Sequence, residues 1–186
     1  MVRFQRRYQE NEVLLKICKN AVDIIMVILA AYVLVHFGCA RASISGGSME
    51  PALVNEDTVM VNRMSYSILN PARYDVIAFK PEDVESSKVY IKRIIGLPGE
   101  TVQIIDGAVH INGNPLRDDA ADIDILTAGL AADEIILGKD EYFVLGDNRN
   151  NSEDSRFSNI GTVKKENIVG KVWLIFSPFK RFGVVG

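Results

Sequence analysis

The chain has 186 residues, 48% of them hydrophobic and 24% charged, with a net charge of -3 at pH 7. That length suits one compact domain plus an appendage, and two cysteines with two histidines exclude a disulfide framework or a His-rich metal site. The charge is uneven: Arg3, Arg6, Arg7, Lys16 and Lys19 against Glu10 and Glu12 make residues 1–20 a basic arm, and the rest of the chain is acidic.

A basic arm fits nucleic acid or a membrane boundary, and the hydrophobic stretch after it favours the membrane. Residues 21–38 read AVDIIMVILAAYVLVHFG, with no charge from Ile24 to Val35. Extended back to Val13, a helix of about 25 residues at about 1.5 Å rise crosses a hydrocarbon core of roughly 30 Å. The competing readings are a buried core helix and a leader cut near Ala40 or Ala42. An uncleaved transmembrane anchor at 21–38 is the expectation. Only Arg41 stands just beyond the helix, so the excess of basic residues before it places the N-terminus in the cytoplasm and residues 40–186 outside. Cys18 and Cys39, on such a helix, lie about 30 Å apart and cannot pair.

After the helix, seven runs rich in β-branched and aromatic residues read as strands: 57–62, 75–79, 89–95, 101–105, 108–111, 141–145 and 168–176. Asp106-Gly107 joins two of them as a type I′ hairpin turn, and Asn112-Gly113 offers another. The expectation is an antiparallel all-β domain. Residues 115–139, acidic and Ala-rich, read as a cap-like insertion or surface excursion with a short helical turn.

The histidines restrict the chemistry. A Ser/His/Asp triad needs a histidine beside the serine, but His36 ends the hydrophobic helix and His110 falls in a hairpin strand. Ser45–Leu53 (SGGSMEPAL) is a small-residue loop in which Gly46 and Gly47 let Ser48 present its hydroxyl and nearby N–H groups. By itself such a loop is a linker more often than an active site. Lys92, in YIKRIIGLPGE (Tyr90–Glu100), shares a strand face with Tyr90 and Ile94. Apolar surroundings lower a lysine's pKa and let its neutral form take a proton from serine. The bland alternative is a packed stem with its amine in water.

Four segments in order, SGGSMEPAL, RYDVIAF (Arg73–Phe79), YIKRIIGLPGE and GDNRNNSEDSR (Gly146–Arg156), resemble the conserved blocks of bacterial type I signal peptidases. The preceding helix and the closing FSPFKRFG (Phe176–Gly183) fit the same pattern. The resemblance implies an all-β protease fold, shared with SOS-response repressors, that cuts leader peptides after Ala-X-Ala. It implies Ser48 as nucleophile, Lys92 as general base, and Ser152 orienting the lysine amine. Asp147, Asp154, Arg156 and Arg93 are implied to hold the site's shape, and Met49 to sit beside the substrate cleft. Gly46 and Ala52 depart from members with hydroxyl residues at those positions, so the oxyanion would rest mainly on the Ser48 N–H.

No cofactor, metal or nucleic acid is implied; the partners are leader-bearing preproteins and the lipid bilayer, and nothing demands more than a monomer. Trp173, Phe176, Phe179 and Phe182, with Lys180 and Arg181, read equally as an interfacial shelf or as strand-end packing. Two other classes compete. Self-cleaving repressors share the Ser/Lys pair but carry a DNA-binding region in place of a hydrophobic helix. Inactive secretion scaffolds would lack the serine or the lysine.

Overall fold

The computed structural model describes residues 2–81, 88–117 and 124–185, and the side chains of these except 2–11, 33–37 and 68. The chain divides into two compact units, Met1–Cys39 and Ala40–Gly186.

The first unit is one helix, α1 (Val2–Gly38). It runs through the basic arm expected at 1–20, because no glycine or proline interrupts it before Gly38. Its large apolar side chains from Val13 to Tyr32 are 56–69% exposed. Among the described residues, no helix is long and apolar enough to cross a membrane. The span expected at 21–38 includes residues 33–37, whose side chains lie outside those described.

The second unit is all-β. Its described strands are β1 (Cys39–Ser43), β2 (Thr58–Asn62), β3 (Val76–Phe79), β4 (Tyr90–Gly96), β5 (Thr101–Ile105), β6 (Ala108–Ile111), β7 (Asn114–Pro115), β8 (Ile135–Ile136), β9 (Glu141–Leu145), β10 (Val163–Lys164), β11 (Ile168–Ser177) and β12 (Gly183–Val184). A single helical turn, α2 (Ser65–Ile68), precedes β3. One sheet runs β1-β2-β11-β3-β4-β9-β10, with β12 on the far half of β11; a smaller one runs β7-β6-β5-β8.

Alternation along the strands builds the core. Val76 and Ala78 of β3 join Leu53, Val59, Val61 and Val172 in one cluster, while Ile77 and Phe79 join Ile94, Tyr142 and Val144 in another. A third cluster packs the small sheet, through Val102, Ile104 and Val109, against Ile95, Phe143 and Leu145. Gly96 makes that contact close: a Cβ there would lie 2.6 Å from Val102 and 2.9 Å from Phe143. The hairpin at Asp106-Gly107 has φ of 49° and 80°, as a type I′ turn requires.

Residues 115–139 do more than cover the surface. Of their described part, Ile125, Ala131 and Leu137 are buried in the third cluster, Gly129–Ala132 form a 3-10 turn, and β8 adds to β5. Residues 118–123 lie outside the described ones.

Candidate active site

Ser48 and Lys92 meet although 44 residues separate them, the Lys92 Nζ donating to Ser48 Oγ at 2.7 Å. Lys92 stands opposite Ile77 in the β3–β4 ladder and is 3% exposed. Burial pulls its pKa down to about 8, an effect that the carboxylates of Asp154, Glu153 and Asp147 offset in part. A hydroxyl held by an amine of this kind has an acceptor for its proton near neutral pH.

The loop carrying Ser48 is pinned by its carbonyls and its ends. Asn148 donates its backbone N–H to the Ser48 carbonyl at 3.1 Å and its Nδ2 to the Gly47 carbonyl at 3.0 Å. The Gly46 N–H donates to Asn55 Oδ1 at 2.9 Å, with Gly46 at φ 91°, a conformation that favours glycine. Behind the loop, buried Asp57 accepts from the Val54 N–H and from Arg181. Arg181, read equally as interfacial or as strand-end packing, is therefore turned onto the loop's own scaffold, and its Nη2 also reaches the Ala52 carbonyl. Met49 is buried in the cluster beneath β1 and β2 and touches the cleft wall.

The segment from Gly146 to Arg156 wraps round the same point. Asp154 is fully buried and accepts from Arg156 Nε and Nη2, both at 2.8 Å, and from the Gly146 N–H at 3.1 Å. Arg156 also donates to the carbonyls of Arg149 and Thr127, which ties residues 124–139 to this segment. Arg93 makes a two-pronged pair with Asp147, at 2.8 and 2.7 Å. Among the described residues, Ser152 Oγ is the buried side-chain polar atom with no hydrogen-bond partner, so no bond from it to Lys92 is formed in this state. It lies against Gly146, where an added Cβ would be 2.2 Å from Ser152 Oγ and 2.4 Å from the Ser48 carbonyl oxygen.

An open cleft of about 510 Å³ leads to the pair, with residues 41–45 on one wall and residues 88–92 on the other. Since β1 and β4 are separated by β2, β11 and β3 in the sheet, the sheet curls to bring them face to face. His110 is remote from this chemistry, its Nδ1 lying 3.2 Å from the Ala108 carbonyl. The side chain of His36 lies outside those described.

Three residues that sequence reasoning did not single out belong to the site: Asn148, Asn55 and Glu153, the last lining the cleft beside Ser48 and Lys92. Asn148 and Glu153 sit inside the quoted motif, so the signal was present, but their backbone-bracing and cleft-facing roles needed the tertiary structure.

The chain matches the family model described as signal peptidase, peptidase S26, over residues 17–177. It is 39% identical over 145 residues to the signal peptidase I of Leptolyngbya laminosa, covering 75% of this chain and 69% of that one. It is 36% identical over 148 residues to the probable signal peptidase I-2 of a Synechocystis strain, covering 76% of this chain but 65% of the relative, less than two thirds of its length. With the signal peptidase I P of Bacillus subtilis subsp. natto it shares 34% over 174 residues, 87% of this chain and 92% of the relative. A family match across most of the chain, together with relatives of this identity and extent, decides the assignment: the chain belongs to the signal peptidase family, peptidase S26, and is a hydrolase of peptide bonds.

Proposed function

We propose that the chain removes N-terminal leader peptides from exported preproteins after small residues of the Ala-X-Ala kind, with Ser48 as nucleophile and Lys92 as general base. The observation that carries this reading is the 2.7 Å contact between Lys92 Nζ and Ser48 Oγ, in a site where burial lowers the lysine's pKa to about 8.

In this mechanism an extended leader segment enters the cleft between residues 41–45 and 88–92 and hydrogen-bonds along the strand edges. Neutral Lys92 accepts the Ser48 hydroxyl proton as Oγ attacks the scissile carbonyl carbon. The oxyanion is met by the Ser48 N–H, because Gly46 brings no hydroxyl. Lysine then passes the proton to the leaving amine, which frees the mature protein. A water that Lys92 deprotonates hydrolyses the acyl-enzyme. Asp154, Arg156, Asp147 and Arg93 hold the walls, Met49 supports the cleft floor, and Ser152 Oγ is free to accept from Lys92 as the amine rotates during turnover.

The helix α1 is, in this proposal, a single-pass anchor with the N-terminus cytoplasmic and residues 40–186 outside. Its exposed apolar side chains from Ile24 to Leu29 support that role. Anchoring would confine enzyme and leader to one bilayer and raise their effective concentration.

The test is to incubate detergent-solubilised full chain, with Ser48→Ala and Lys92→Ala variants, with a preprotein whose leader ends Ala-X-Ala, and to map cuts by mass spectrometry. One cut after the final alanine, lost in both variants, is the expected result. Cutting by folded Lys92→Ala would overturn the mechanism.

A further inference from the structure

The cleft carries opposite charges along its length. Glu153 lines it beside Ser48 and Lys92 and acts on the Lys92 amine, and Arg41 and Lys88 line the same cleft. Lys88 precedes Lys92 by four residues, a distance of about 13 Å in extended chain, and Arg41 precedes Ser48 by seven. Both cations line the one cleft that holds Ser48 and Lys92.

These cations are held in place. The Arg41 guanidinium carbon lies 4.9 Å from the centre of the Phe176 ring, and the Lys88 Nζ lies 5.1 Å from that of Tyr90. Resting on a ring limits the rotamer freedom that a long exposed side chain otherwise loses on binding. Among the described residues, Arg73, Arg93, Arg156, Lys171 and Arg181 are spent on carboxylates within the fold, and Arg41 and Lys88 form no such pair.

We propose that Arg41 and Lys88 are specificity-determining residues that favour leaders with an acidic side chain at the fourth or fifth position before the cut. This rests on the reading that the leader runs along β1 and β4 toward Ser48; 13 Å then corresponds to about four residues of extended substrate. A carboxylate there meets two cations, and a lysine there meets the same two as repulsion. The substrate class is thus a leader whose segment before the Ala-X-Ala end is acidic.

The experiment uses the full chain in detergent and three preproteins that differ only at the fourth residue before the cut: Asp, Asn or Lys. The expected result is a kcat/KM for Asp over Lys of roughly tenfold, shrinking as salt screens the charges. In Arg41→Glu/Lys88→Glu the order should invert, and in the milder Lys88→Gln the ratio should fall. A wild-type Asp-to-Lys ratio near one, or a ratio indifferent to salt and to both variants, overturns the inference. Cutting of the Asn preprotein without charge preference sinks this inference alone, whereas failure to cut any of the three sinks the proposed function with it.

Discussion

Arg93 and Asp147 form a buried two-pronged ion pair that bolts the strand carrying Lys92 to the segment carrying Ser152. Arg93 also donates to the Tyr74 carbonyl at 2.9 Å, so one guanidinium joins three parts of the chain. Removing the carboxylate would take the two-pronged partner from a buried cation. Asp147→Ala is therefore expected to cost about 3–5 kcal/mol, seen as a lower urea midpoint with unchanged slope. An unchanged midpoint would show that the pair braces nothing.

With Lys92 as the proposed general base, its amine gives a pH dependence to both rate and stability. Its pKa falls from 10.5 to about 8 on folding, so kcat/KM should rise about tenfold per pH unit below 8 and level off above it. Between pH 8 and 10.5 the unfolded chain binds the proton more tightly than the folded one, so stability rises with pH across that window. Below pH 8 the full cost, on the order of 3 kcal/mol, is present. Lys92→Met should abolish cutting yet raise the unfolding free energy at pH 7, with the advantage fading toward pH 10.5. A variant that is no more stable at neutral pH would contradict the burial argument.

Gly146 admits no side chain, since a Cβ would lie 2.4 Å from the Ser48 carbonyl oxygen and 2.2 Å from Ser152 Oγ. The carbonyl moves only if the serine moves. Gly146→Ala is expected to lower kcat by about 10²-fold, the usual cost of a small misplacement of reacting groups, while circular dichroism stays native. Full activity would mean that the loop tolerates displacement.

Ser152 offers a sharper separation of roles. Its buried hydroxyl has no partner, so Ser152→Ala should leave the melting temperature unchanged or higher. If the hydroxyl receives the lysine amine during turnover, kcat/KM nevertheless falls by at least tenfold. Activity equal to wild type would confine Ser152 to packing.

At the end of the chain Phe179 is 88% exposed and Phe182 54%, the two rings stacked at 6.1 Å between centroids. Rings so placed suit a lipid interface. For the separate unit 40–186, the Phe179→Ser/Phe182→Ser variant should pellet less with liposomes; equal pelleting would favour simple strand-end packing.

The long strands were legible because their residues alternate or run β-branched: β2, β3, β4, β5, β6, β9 and β11 fall within two residues of the expected runs. The two-residue strands β7, β8, β10 and β12 leave no periodic trace, and β1, reading CARAS, lacks β-branched residues. Residues 125–137 misled for another reason. Ile125, Ala131 and Leu137 stand six residues apart, too sparse a spacing to mark a helix face or a strand, and their burial comes from packing against residues of β5 and β9. In the site, the motifs pointed to Ser48 and Lys92, but the bracing by Asn148 and the charge at Glu153 depend on contacts across more than fifty residues.

The position of β11 between β2 and β3 carries a consequence for timing. The half of the sheet that leads from Ser48 and the half that carries Lys92 are joined through a strand that is synthesised after both of them. The hydroxyl and the amine therefore come into register only once residues 168–177 have been added, and a nascent chain that has not reached them lacks the strand that joins the two halves.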